Sequence, residues 1–176
     1  MLISLIVATT FNSKVLFDFT GTGDTDNWEV VNDGVMGGRS KGTFIISENK
    51  TSIFSGTISL ENSGGFSSVR YNTGKIYVED FSILELFLKG DGEKYQVRIR
   101  EKPSDYFSYI YTFQTSGEWE TVKIPLAKMF PSFRGSALNL PNYSGKSMVE
   151  LTFLIGNKKA ESFRLELQKA VLKQDT

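Results

Sequence analysis

A chain of 176 residues with 20 basic and 20 acidic side chains carries no net charge at pH 7, which argues against a nonspecific nucleic-acid binder. It contains no cysteine and no histidine, which excludes disulfides, thiolate nucleophiles, zinc–thiolate sites, histidine bases and Ser-His-Asp triads. Catalysis would have to rest on carboxylates, Lys, Tyr or a bound cofactor.

Met1 to Ala8 is an apolar run too short to span a bilayer. It lacks the basic n-region and the Ala-x-Ala cleavage pattern of a secretory signal. Residues 1–13 therefore read as a degenerate export signal, an N-terminal extension or a first strand. Residues 14–173 read as one domain, long enough to bury a core of its own. The compartment stays open between cytoplasm and export, and no transmembrane span is expected.

Lys14 to Phe19 alternates and stops at Gly21-Thr22-Gly23-Asp24, a strand followed by a turn. Trp28 to Val31 leads into Asn32-Asp33-Gly34-Val35-Met36-Gly37-Gly38-Arg39-Ser40. Asn and Asp bond their own backbone in turns, and the glycines permit tight backbone. This stretch reads as a shaped loop, either a simple connection or a binding loop on a rigid scaffold. It is neither a Walker loop nor a dinucleotide fingerprint. Gly42 to Ser47 and Thr51 to Leu60 flank Glu48-Asn49-Lys50 as a hairpin. Further strands are expected at 66–71, 81–89, 95–100, 107–114, 119–124, 149–156 and 162–172. The stretch 126–146 reads as an apolar loop with at most one helical turn near 126–130. Its Met129, Phe130 and Phe133 suit either packing or a partner. Strands at this spacing predict an all-β sandwich of jelly-roll type.

Alternation assigns faces. Tyr95, Val97 and Ile99 share one side, and Gln96, Arg98 and Arg100 the other. Phe107, Tyr109, Tyr111 and Phe113 oppose Ser108, Ile110 and Thr112, while Phe66, Ser68 and Arg70 share a row. If the middle strands are neighbours, Arg70, Arg98 and Arg100 converge on one face. Those arginines read either as solvated charges paired with Glu85, Asp91 or Glu101, or as forks for an anionic or hydroxyl-rich ligand. Trp28 and Trp119 read as core or as stacking platforms for sugar rings. No carboxylate pair is singled out by local spacing, and no acidic cluster has the spacing of calcium ligands. No catalytic residue, metal site or cofactor is expected.

Several segments together resemble one family. They are Trp28 with Asn32–Ser40, Gly56 to Arg70, Gly90-Asp91-Gly92 with Tyr95–Arg100, Trp119 to Pro125, Phe130 to Gly135, and Ser162 to Leu167. In this order they resemble the Complex I intermediate-associated protein 30 domain over about residues 15–172. The resemblance implies a galactose-binding-like sandwich, similar to carbohydrate-binding modules. It also implies an assembly factor for NADH:ubiquinone oxidoreductase, a chaperone-like binding protein and not an enzyme. No Rossmann fingerprint accompanies the domain, and no arginine marks a mitochondrial presequence. Two occupants are expected for the site. A respiratory-complex subunit or assembly intermediate would use Asn32, Asp33, Met36, Gly37, Gly38, Phe130, Phe133 and Arg134. A glycan would use Arg70, Arg98, Arg100, Tyr109 and Trp119.

Overall fold

Strand alternation fixes what each element buries, and the order of pairing fixes what it buries against. The computed structural model describes residues 12–21 and 25–175, with Val35 and Met36 described by backbone alone. Most of the stretch 1–13 thus lies outside the described residues, although Ser13 already opens the first strand.

In chain order the strands are β1 (Ser13–Asp18), β2 (Trp28–Asn32), β3 (Lys41–Ile46), β4 (Ser52–Ile58), β5 (Ser67–Tyr77), β6 (Ile83–Lys89) and β7 (Lys94–Arg100). They continue as β8 (Ser108–Gln114), β9 (Trp119–Pro125), β10 (Phe130–Phe133), β11 (Ser136–Ala137), β12 (Ser147–Ile155) and β13 (Glu161–Lys173). One sheet has the order β3-β4-β13-β6-β9, with β1 also paired to β13. The other runs β11-β10-β8-β7-β12-β5-β2. The fold is an all-β sandwich of jelly-roll type, and each of these strand pairings is antiparallel. Among the described residues, no helix is long and apolar enough to cross a membrane.

The inner faces meet in a core that includes Phe54, Leu84, Leu86, Leu88, Tyr95, Val97, Ile99 and Leu165. At one end an aromatic cluster joins the sheets. Trp28 lies between Phe44 and Tyr71, with ring centroids 4.6 Å and 4.7 Å away in stacked geometry. Phe17 meets Trp28 edge-on at 5.1 Å. Trp28 is therefore a packing residue. Such ring pairs add to the burial of apolar area.

Two bulges adjust the alternation. The register of β12 shifts between Met148 and Glu150, so Met148 and Leu151 both point inward despite their odd separation. The register of β13 shifts between Leu167 and Lys169, so Leu167 and Ala170 are both buried.

The segment 126–146 differs from its sequence reading as a loop. The helical turn expected near 126–130 is there, a 3-10 turn at Leu126–Lys128, but the two strands β10 and β11 follow it. Arg134 and Gly135 join those strands with φ of +49° and +81°. Positive φ at both central residues is the pattern of a two-residue hairpin turn, normally signalled by Asn or Gly at the first position. Arg134 there hides the hairpin in the sequence, and Pro131 weakens the strand signal further.

Phe153 is fully buried on β12, and its ring meets Phe17 of the opposite sheet at 6.3 Å. Phe153→Ala is expected to lower stability by about 3–5 kcal/mol. The check is urea unfolding, where the midpoint should fall with the slope little changed. A loss below about 1 kcal/mol would deny Phe153 a central part in joining the sheets.

Candidate functional site

The Asn-Asp-Gly stretch owes its shape to two side chains that work inside the protein. Asn32 Oδ1 accepts hydrogen bonds from the Gly42 amide at 3.0 Å and the Ser67 hydroxyl at 2.6 Å. Asp33 is 1% exposed. Its carboxylate accepts from the Ser40 amide at 3.0 Å and the Ser40 hydroxyl at 2.5 Å. It also accepts from the amides of Gly65 at 2.6 Å and Phe66 at 3.3 Å. Burial pushes the Asp33 pKa up, but the Ser40 hydroxyl and the three amides outweigh it, and the net shift is downward.

Residues Asp33–Met36 form a 3-10 turn, closed by Gly37 at φ +85°. Gly38 must lack a side chain, because a Cβ there would lie 2.3 Å from the Asp33 carboxyl. The facing loop adds the Asn62 amide, which donates to the Gly37 carbonyl at 3.0 Å, and an Arg39–Glu61 ion pair at 2.7 Å. Asn32, Asp33 and Gly38 thus serve the architecture of the loop. The Met36 side chain lies outside the described residues.

A cleft of about 490 Å³ opens on the outward face of the seven-stranded sheet. Strand β12 lies between β5 and β7, and Thr152 is in register with Arg70 on one side and Arg98 on the other. Glu150 is likewise opposite Arg100. Arg70, Arg98 and Arg100 therefore do converge, with β12 between their strands. Ser68, Gln96, Thr152 and Leu154 extend the floor, and Gly65 and Phe66 stand at one border. The opposite border holds Tyr106, Phe107, Phe133 and Arg134. There the Phe133 ring meets Tyr106 edge-on at 5.3 Å and lies 5.2 Å from the Arg134 guanidinium.

The arginines are not equivalent. Arg100 pairs with Glu150. Arg98 donates to Gln96 Oε1 at 3.1 Å and 2.7 Å. Among the described residues, no carboxylate lies within ion-pair distance of Arg70 or Arg98. Burial, and then the charge of Arg70, push the Arg98 guanidinium below its usual pKa, although arginine stays charged at any ordinary pH. The acids expected as partners lie elsewhere. Glu85 pairs with Lys123 and Lys173 on the other sheet. Asp91 accepts from the Tyr95 hydroxyl and the Arg164 amide.

Two residues grouped with these arginines stand apart from them. Tyr109 is on the opposite side of β8 from Ser108 and Ile110, packed against the core and 5.1 Å from the Tyr143 ring. Trp119 belongs to the six-stranded sheet, 39% exposed and stacked on Phe87 at 5.2 Å. Met129 is fully buried, whereas Phe130 and Phe133 are exposed. Phe130 pairs in register with Ile110, which pairs with Arg98, so it ends the same row at the sheet border. Glu150 and Thr152 went unmarked in the sequence because nothing local reveals that β12 is inserted between β5 and β7.

The profile of the Complex I intermediate-associated protein 30 family matches residues 17–167. The chain belongs to this family. A curated relative is "Complex I intermediate-associated protein 30, mitochondrial" of Mus musculus, 27% identical over 145 residues. The match covers 70% of this chain and 44% of that protein, so the chain spans less than half of the relative's length. Among solved structures, the fold is similar to a family 11 carbohydrate-binding module from a cellulosomal cellulase of Clostridium thermocellum. That match has a TM-score of 0.69, 16% identity, and covers 95% of this chain and 97% of the other. A family 29 carbohydrate-binding module matches with a TM-score of 0.57 and 14% identity, covering 93% and 89%. These likenesses describe the fold.

Two sequence segments that carry the family resemblance meet at Asp33, which joins the glycine loop to Gly65 and Phe66 at the cleft border. Asp33→Asn would point an amide group at backbone donors, and is expected to cost about 1–3 kcal/mol. The Asp33 pKa is lowered by folding, so its contribution is full above the unfolded value of about 4 and is lost as pH falls through the folded value. Melting temperature against pH should therefore fall more steeply in acid for the wild type than for Asp33→Asn. Parallel curves would show that Asp33 is not ionised in the fold.

Proposed function

We propose that this protein is a non-catalytic binding protein that acts in the assembly of NADH:ubiquinone oxidoreductase. In this reading it holds an assembly intermediate against the arginine-bearing face of its seven-stranded sheet. The observation that carries the reading is the open cleft with two arginines, Arg70 and Arg98, that no carboxylate pairs among the described residues. Membership of the family, and the name of the mouse relative, support the assembly role.

The cleft is poorly furnished for acid–base work. The chain has no histidine or cysteine. Glu150 is engaged by Arg100 and by the Thr152 hydroxyl, and Asp105 accepts from the Lys102 amide. Neither carboxylate is set up as the free acid or base of a hydrolytic pair.

A second reading is a carbohydrate-binding module in the same cleft. Tyr106, 65% exposed at the border, favours it, since an open ring can stack on a sugar.

Affinity capture from the native host, followed by mass spectrometry, separates the two. The expected result is enrichment of NADH:ubiquinone oxidoreductase subunits with the wild type. Arg98→Ala should lose that enrichment with little change in melting temperature. Capture unchanged in Arg98→Ala would move the interface off this face. A glycan-array hit with no respiratory subunit captured would replace the assembly reading with the carbohydrate one.

A further inference from the structure

We infer that the cleft recognises carboxylate groups of an acidic segment on a partner protein, gripped between Arg70 and Arg98 above Thr152. The inference rests on the reading of this face as the binding surface, and it names the chemistry that the face selects.

Charge is the first argument. Four arginines border the cleft, Arg70, Arg98, Arg100 and Arg134, against two carboxylates, Asp105 and Glu150. Glu150 neutralises Arg100. Glu29 is opposite Arg70 in register on β2 but lies beyond ion-pair distance. The cleft therefore keeps an excess of positive charge although the chain as a whole is neutral. Low-dielectric walls concentrate such a field and draw in ligands of the opposite sign.

Geometry is the second argument. Arg70 and Arg98 are two strands apart, about 10 Å between backbones, and both flank Thr152. Both side chains line the same cleft, and the charge of Arg70 is felt at Arg98. Arg98 is oriented by Gln96, whose Oε1 takes Nε and one terminal nitrogen. The guanidinium keeps further donors for a ligand. Burial and the charge of Arg70 both act against the charged form of Arg98. A pair of like charges held together without a counter-ion is unfavourable by itself, and a bound carboxylate relieves it.

The surroundings favour a peptide over a sugar acid. Thr152 and Ile110 are the residues in register with Arg98. Neither is aromatic, so the strands on either side of Arg98 offer no ring in register with it on which a sugar could stack. The aromatic rings of the cleft stand at its borders, Phe66 at one and Tyr106, Phe107 and Phe133 at the other, and none of them is in register with Arg98.

The test is fluorescence anisotropy with the full chain and a labelled short peptide of alternating Glu and Ser. The comparison peptide has Gln in place of Glu, and oligogalacturonate is the third probe. The Glu peptide should bind about tenfold tighter than the Gln peptide and weaken with added salt. Arg98→Gln and Arg70→Gln should each remove most of that difference. Lys50→Gln, on the distant β3–β4 turn, should not. Equal binding of the two peptides overturns the inference. So does retained discrimination in both arginine variants, or an equal loss in Lys50→Gln, which would reduce the effect to net charge. Oligogalacturonate binding without Glu-peptide binding overturns the protein source. A wild type that captures respiratory subunits but reads both peptides alike sinks only the carboxylate inference. One that discriminates the peptides but captures no respiratory subunit sinks the assembly reading instead.

Discussion

Strand β12 lies between β7 and β5, and both the core and the cleft hang on its alternation. Leu151, Phe153 and Ile155 point into the sandwich and are fully buried. Glu150, Thr152 and Leu154 point the other way and line the cleft. A shift of one residue in this strand would exchange the two sets. The bulge before Glu150 matters for that reason, because it lets Met148 stay in the core without disturbing the residues that follow. The register that excludes water from the sandwich is the same register that brings Arg70 and Arg98 to either side of Thr152.

The glycine-rich loop has a different task from the cleft, yet it is tied to it. Asp33 gathers donors from Ser40, Gly65 and Phe66 around one buried carboxylate. Hydrogen bonds to a charged acceptor are stronger than neutral ones, and leaving such donors bare is costly. The loop thus fixes the backbone of Gly65 and Phe66, which border the cleft. The spacing of the glycines follows from this arrangement. Gly37 supplies the left-handed turn, and Gly38 leaves room for the carboxylate.

The surface ion pairs contribute little to holding the sandwich together, since exposed pairs are worth at most about 1 kcal/mol each. Their arrangement bears more on recognition. On the six-stranded sheet Glu85 serves two lysines, and at the end of the sandwich Lys159, in the β12–β13 connection, bridges Glu93 and Glu161. In the cleft the balance is broken, because Glu150 serves Arg100 and no acid among the described residues pairs Arg70 or Arg98. The difference between the two outer faces lies in which charges are paired.

What the sequence determined by itself is whatever depends on neighbours along the chain. Alternation in Tyr95–Arg100 places Val97 inside and Arg98 outside, whatever sheet the strand joins. The absence of cysteine and histidine removes whole classes of chemistry before any fold is known. The ordered segments between Trp28 and Leu167 were enough to indicate the family and, with the strand spacing, the all-β sandwich. What only the tertiary structure decided is whatever depends on residues far apart. Trp28 and Trp119 look alike in sequence, but one is enclosed by Phe44 and Tyr71 and the other lies on the outside of the opposite sheet. Asp33 looks like a loop residue until its donors arrive from 32 and 33 positions downstream. The arginines form one site because β12 returns late in the chain to fill the space between β5 and β7. Strand pairing is a non-local choice, settled by the packing of the whole core, and no local pattern encodes which strand will be the neighbour.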